Sequence, residues 1–209
     1  MDLFAILASE RLHLADELDE LSATEWEHPS RCAGWSNHVV AAHLNLPWAV
    51  RPPAFAVGLV RARGSIDRAM DRFGRDLARR LGPDECVELL RTNAAIRTTP
   101  PGLGVEAPLT DVIVHGADIL RPLGRSRAVS PDALRAALTF VTTRKASIGF
   151  GARSLDGFSV EATDIDLRLG AGGPVVAGPA MALCGALLGR GDHLDELSGD
   201  GVPLLASRG

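Results

Sequence analysis

Apolar residues recur at helical spacing through the first 150 residues of this chain, and no stretch there alternates as a strand does. Residues 2–22 carry Leu3, Ile6, Leu7, Leu14, Leu18 and Leu21 with acids between them, the pattern of an amphipathic helix. "SATEWEHPSRCAGW" follows and reads as a polar loop broken by Pro29 and Gly34. Ser36 is a fitting N-cap for a helix through "NHVVAAHLNLPWAV", which Pro47 should bend or end. Residues 54–81 read as helical again, weakened at Gly64 and Gly74 and stopped by Gly82-Pro83. A helix over 84–98 and the loop "TTPPGLG" come next. A further helix runs from about Leu109 to Leu123 with Gly124 closing it, and Ser130-Pro131-Asp132 opens one more, to about Ile148.

After "GFGARSLDG" the texture changes. "FSVEATDIDLRLG" alternates apolar and polar residues around Thr163-Asp164, as a hairpin does. "GPVVAG" is another short strand, Gly178-Pro179 opens the apolar helix "PAMALCGALLG", and "LSGDGVPLLAS" reads as a turn with one strand. The expectation is a mainly α protein, with a helical domain over 1–150 and a small α/β domain over 151–209. No internal repeat interrupts this division.

Composition narrows the function classes. A net charge of −4 argues against a nucleic-acid groove or an anionic membrane surface as partner. The three cysteines are far apart and form no CxxC pair, which fits a reducing cytoplasm. The first residues show no basic stretch of a signal peptide, and no apolar run approaches the ~20 residues of a membrane span. A soluble cytoplasmic protein is expected.

The chemistry concentrates in "LTDVIVHGADIL", residues 109–120. Leu109, Val112, Ile113, Ile119 and Leu120 form a core-facing stripe, yet Asp111, His115 and Asp118 sit among them. Residues four apart stack on one helix face, so Asp111 and His115 can offer a carboxylate oxygen and an imidazole nitrogen to one ion. Asp118 returns to nearly the same angle one turn on, where it can accept the other N–H of His115 or pair with Arg121. A third ligand must come from elsewhere, and His43, flanked by Val39, Val40 and Leu44, is the best candidate. By spacing alone, a lone buried histidine is more often a satisfied core residue than a ligand.

Other residues carry less. His38 points to a different face from His43 and should lie exposed, and His13, His28 and His193 sit in polar surroundings that read as solvated. Cys32 lies in a loop with no activating partner visible in the sequence, while Cys184 belongs to an apolar helix and should be inert packing. "GAGG" at 170–173 lacks the spacing of a phosphate cradle, and no GxSxG nucleophile elbow is present.

"AGWSNHVVAAHL", then "DVIVHGADILRPLG", then "GPAMALCGALLGR" and "LSGDGV" appear in that order along the chain. Together they resemble the actinobacterial family built on the metal-binding N-terminal domain of mycothiol-dependent maleylpyruvate isomerase, within the wider DinB-like four-helix bundles. The likeness spans nearly the whole chain and includes the short C-terminal extension. It implies a divalent metal, usually zinc with nickel or manganese as alternatives, held by the histidine of "AHL", here His43, and by an acid and a histidine four apart, here Asp111 and His115. The family's isomerase has glutamate at the acid position, so the shorter Asp111 must sit nearer the ion.

What the resemblance implies about activity is a transferase or isomerase using a low-molecular-weight thiol, mycothiol in the family, on a small electrophile. The partners are then that thiol and a small-molecule substrate, with a homodimer as one possible assembly. The alternative is a non-catalytic helical bundle that binds a small ligand around a structural or degenerate metal site.

Overall fold

The structure, a computed structural model, describes residues 2–208. Helix α1 (Leu3–Asp19) starts where the Asp2 carboxylate accepts from the Phe4 amide at 3.0 Å. The polar stretch after it is more ordered than its composition suggests. Ser22 and Glu25 form a reciprocal capping box that supports a short helix, α2 (Ala23–Glu27). Helix α3 (Asn37–Leu44) follows Ser36, and Pro47 sits in the first turn of a separate piece, α4 (Leu46–Ala49).

The region expected as one helix over 54–81 is two, α5 (Pro52–Arg61) and α6 (Ile66–Ala78). They are separated by Arg63 and Gly64, both at positive φ, a backbone state that ends a right-handed helix. Gly74, in contrast, lies buried inside α6 without interrupting it. Helix α7 (Pro83–Thr92) opens on Gly82-Pro83 and is shorter than its pattern. Helix α8 (Glu106–Leu120) runs into a 3₁₀ turn, Arg121–Leu123, and ends at Gly124 in the left-handed region. Helix α9 (Pro131–Val141) is capped by Ser130, and Thr143 breaks the expected continuation by capping α10 (Arg144–Phe150).

Chain contacts group into two units, Met1–Pro100 with His115–Arg127, and Pro101–Val114 with Ala128–Gly209. The first is a helical bundle. Helix α1 packs along α7, and α3 packs against α6 and α7. The second half of α8 closes the bundle, with Gly116 facing Leu14 of α1 and the His115 ring meeting the His43 ring of α3. Leu7, Leu14, Leu18, Leu90 and Ile119 are fully buried in it. Charged side chains are buried in it as well, and the arginines Arg11 and Arg127 are answered by fixed partners. The Arg11 guanidinium donates to the carbonyls of Ala94 and Ile96 at 3.0 Å each. Arg127, with its side chain only 2% exposed, pairs with Glu10 and Glu17 at 3.0 Å each.

In the second unit, strand β1 (Ser159–Ala162) pairs antiparallel with β2 (Leu167–Leu169), the expected hairpin, with Val160 opposite Leu169. It pairs in parallel with β3 (Val175–Gly178), giving the order β2-β1-β3. Helix α11 (Ala180–Leu187) packs against α9. The C-terminal stretch expected to hold a strand instead forms a short helix, α12 (Val202–Ala206), with Pro203 in its first turn. Only Ser198 makes a bridge, to Ala177. Among the described residues no helix is long and apolar enough to cross a membrane.

Gly116 brings the backbone of α8 close to the buried Arg127. A Cβ there would stand 2.9 Å from Arg127 Nη1 and 3.2 Å from Arg127 Cδ and Leu14 Cδ1. Alanine would gain about 1 kcal/mol of helix propensity and lose about 1–3 kcal/mol to overpacking against a guanidinium its partners hold in place. Gly116→Ala should therefore lower the urea midpoint with an unchanged slope. A raised midpoint would show that Arg127 yields freely.

Candidate metal centre

Asp111 and His115 stand one turn apart on α8, an uninterrupted helix that sets their separation. His43 lies on α3, whose neighbouring Val40, Ala41, Ala42 and Leu44 are buried and hold the helix in the bundle. Its ring meets that of His115 edge to face, with centroids 5.0 Å apart. One donor atom each from His43, Asp111 and His115 lies within 4.8 Å of the other two, and all three residues are half-buried. Two donors ~2.1 Å from one ion at a tetrahedral angle stand about 3.4 Å apart, so small side-chain rotations bring this set onto a single ion. The three residue types suit a borderline divalent cation.

Both histidines are backed by fixed neighbours. His115 Nδ1 lies 3.0 Å from Asp118 Oδ2, and Asp118 is only 2% exposed. An ionised carboxylate only accepts, so Nδ1 carries the proton and Nε2 is the nitrogen that would face an ion. Behind His43 sits the Trp35 ring, with centroids 5.3 Å apart. The indole N–H of Trp35 donates to Asp71 Oδ1 at 2.7 Å, and Arg75 Nε donates to the same oxygen at 2.7 Å. Those bonds, that of Trp35 first, hold the Asp71 carboxyl below its ordinary range.

Sequence reading missed one residue here. Cys32 Sγ lies 3.3 Å from Asp118 Oδ2 and 3.5 Å from His115 Nδ1. Its loop is tied down by the Arg31 amide donating to the Asp118 carbonyl, the Cys32 amide donating to Ser30 Oγ, and the Trp35 amide donating to the Cys32 carbonyl. Nothing local in "SRCAGW" announces that this loop reaches α8, because the contact is 86 residues away in sequence.

The remaining candidates lie elsewhere. His38 is not exposed as expected. It is half-buried, with Nε2 at 2.8 Å from the Leu81 carbonyl and its ring against Trp26. His13 and His28 are exposed. His193 is not solvated either: it is 3% exposed, with Nδ1 at 3.2 Å from Glu196 Oε1. Its ring fills the space left by Gly185, where a Cβ would stand 2.5 Å from Nε2.

No family model matches the sequence, and no curated protein matches it. Solved structures do. A crystal structure of the mycothiol-dependent maleylpyruvate isomerase aligns over 95% of this chain and 92% of its own, with a TM-score of 0.60 and 18% identity. A structure of a mutant of that enzyme aligns over the same shares at 18% identity, with a TM-score of 0.59. The chain therefore shares the mainly α fold of that solved structure, and its own small three-stranded sheet falls within the aligned length.

The three thiols differ sharply in setting. Burial pushes Cys86 and Cys184 up to about 12, and they are 1% and 0% exposed. Cys32 is only half-buried. Iodoacetamide at neutral pH should label Cys32 alone in the native chain and all three cysteines after unfolding, read by peptide mass spectrometry. Native labelling of Cys86 or Cys184 would contradict the packing described.

Proposed function

We propose that this chain is a divalent-metal-dependent enzyme that uses a low-molecular-weight thiol, mycothiol by analogy of fold, to transfer to or isomerise a small electrophile. The observation that carries the reading is the His43, Asp111, His115 donor set, one carboxylate and two imidazoles with a donor atom each within 4.8 Å of one another. The likeness to the mycothiol-dependent isomerase supports it at the level of fold. Zinc suits the donor set best, with nickel and manganese as alternatives. A cytoplasmic setting, where such thiols stay reduced, belongs to the same reading.

Charge makes the set suited to its task. One carboxylate against a divalent ion leaves a net charge of about +1, which favours an anionic fourth ligand. Three protein donors leave a tetrahedral position open, as catalytic rather than structural zinc requires. A divalent ion in that place would supply Lewis acidity, holding a thiol as its thiolate and polarising a substrate oxygen. The protein's own side chains do the positioning. Asp118 Oδ2, 3.0 Å from His115 Nδ1, is placed to accept that proton, which would fix the tautomer and leave Nε2 for the ion. The Trp35 ring packs against one side of His43, with centroids 5.3 Å apart, and so limits its rotation.

Metal analysis of the full chain after zinc loading should find one equivalent bound, and His115→Ala should abolish it. Mycothiol should raise the melting temperature of the zinc form and leave the metal-free form unchanged. Absence of bound metal after loading would end the proposal. A shift by apolar ligands that ignores metal would favour the non-catalytic binding bundle instead.

Asp118→Asn tests the positioning role separately. The amide still accepts through one oxygen but no longer carries charge, so zinc affinity should fall about 10–100-fold in a chelator competition. Unchanged affinity would make Asp118 a structural acid only.

A further inference from the structure

Cys32 has no part in the proposed reaction, yet it stands where a metal donor would. Its Sγ is 3.5 Å from His115 Nδ1 and 3.3 Å from Asp118 Oδ2, and those two atoms are 3.0 Å apart. A tetrahedral ion with Zn–S of ~2.3 Å and Zn–N or Zn–O of ~2.0–2.1 Å sets its donors about 3.4–3.6 Å apart. The three atoms meet that geometry to within a few tenths of an ångström, on the opposite nitrogen of His115 from the set described above. We infer that Cys32, His115 Nδ1 and Asp118 form a second, thiophilic divalent-metal site.

Electrostatics favour it for a soft divalent ion. A Cys32 thiolate and the Asp118 carboxylate together cancel a charge of +2, so the loaded site is neutral, as a place this poorly solvated prefers. Thiolate, imidazole and carboxylate in one set select zinc, cadmium or cobalt over magnesium or calcium. The donors are also held in place beforehand. The Arg31 amide is bonded to the Asp118 carbonyl at 3.0 Å, and the Cys32 amide to Ser30 Oγ at 3.1 Å. Little ordering remains to be done when an ion arrives.

Loading has a defined proton balance. The thiol releases its proton to solvent, and the imidazole proton moves from Nδ1 to Nε2, so that the Nδ1 lone pair binds the ion. A neutral imidazole has one lone pair to give. Occupation of this site therefore withdraws His115 from the His43, Asp111, His115 set, and the two sites exclude each other. The inference shares His115 with the proposed catalytic reading but does not need that reading to hold.

Cobalt titration of the metal-free full chain reads the difference, because only a thiolate ligand gives a sulfur-to-cobalt charge-transfer band in the near ultraviolet. Wild type and His43→Ala should both develop the band, and Cys32→Ser should lose it while keeping its far-ultraviolet circular dichroism. A second measurement needs no variant: cadmium should protect Cys32 of the wild-type chain from iodoacetamide. Bound cobalt without the band, a band that survives Cys32→Ser, or alkylation of Cys32 at an unchanged rate in cadmium would each overturn the inference. A band in the wild-type chain together with a zinc-loaded Cys32→Ser variant that ignores mycothiol would instead sink the catalytic proposal and leave this site standing.

Discussion

A carboxylate that is 2% exposed has to be answered by donors, and the answering of Asp118 organises one end of the bundle. Its side chain takes the Nδ1–H of His115 and the S–H of Cys32, and its main-chain carbonyl takes the Arg31 amide. Through those bonds one acid sets the ring of a histidine on its own helix and anchors a loop that precedes α3. That loop in turn delivers Trp35 to the face of His43, and Arg75 ties its Gly34 carbonyl to α6 at 2.8 Å. Removing the charge at Asp118 therefore disturbs both histidines, one directly and the other through the loop.

The same logic holds for cations. Buried arginines would be costly if unpaired, and the bundle spends carbonyls and glutamates on them in fixed geometry. Arg11 caps the two carbonyls that follow α7, with its guanidinium 5.1 Å from the centre of the Trp48 ring. Arg127 lies between Glu10 and Glu17 of α1, close to the bare backbone at Gly116. His115, next to that glycine, thus sits on a helix pinned from behind by charge and from the side by packing.

Local signals in the sequence were sufficient for helices with a strong cap or breaker. Ser130-Pro131 and Gly124 fall where their chemistry places them, and the alternation around Val160 and Leu169 does pair as a hairpin. The errors lie where a weak local signal had a stronger rival. The capping box of Ser22 and Glu25 stabilises a helix in a stretch that Pro29 and Gly34 marked as loop. Apolar spacing ran through Arg63-Gly64, but spacing carries no information about a positive φ. Asp111 and His115 were visible as a pair because a helix makes four-apart residues neighbours. Cys32 was invisible because its partners are set by tertiary packing across 83 and 86 residues. His193 was misjudged because its polar neighbours in sequence are not what surrounds it in space. The missing side chain of Gly185 makes its niche.

The bundle is discontinuous along the chain, and this bears on how it is born. Glu10 and its partner Arg127 are 117 residues apart, and the segment His115–Arg127 that completes the bundle is made after Pro101–Val114 of the other unit. A nascent chain extruded as far as Pro100 has α1 with Glu10 uncompensated and Leu14 without its cover from α8. Such long-range closure carries a large entropic toll before any contact rewards it, which makes folding slow relative to bundles of consecutive helices. Ribosome-bound intermediates would thus hold an unfinished apolar groove along α1 until Arg127 has cleared the exit tunnel, the interval in which a holdase chaperone has most to offer.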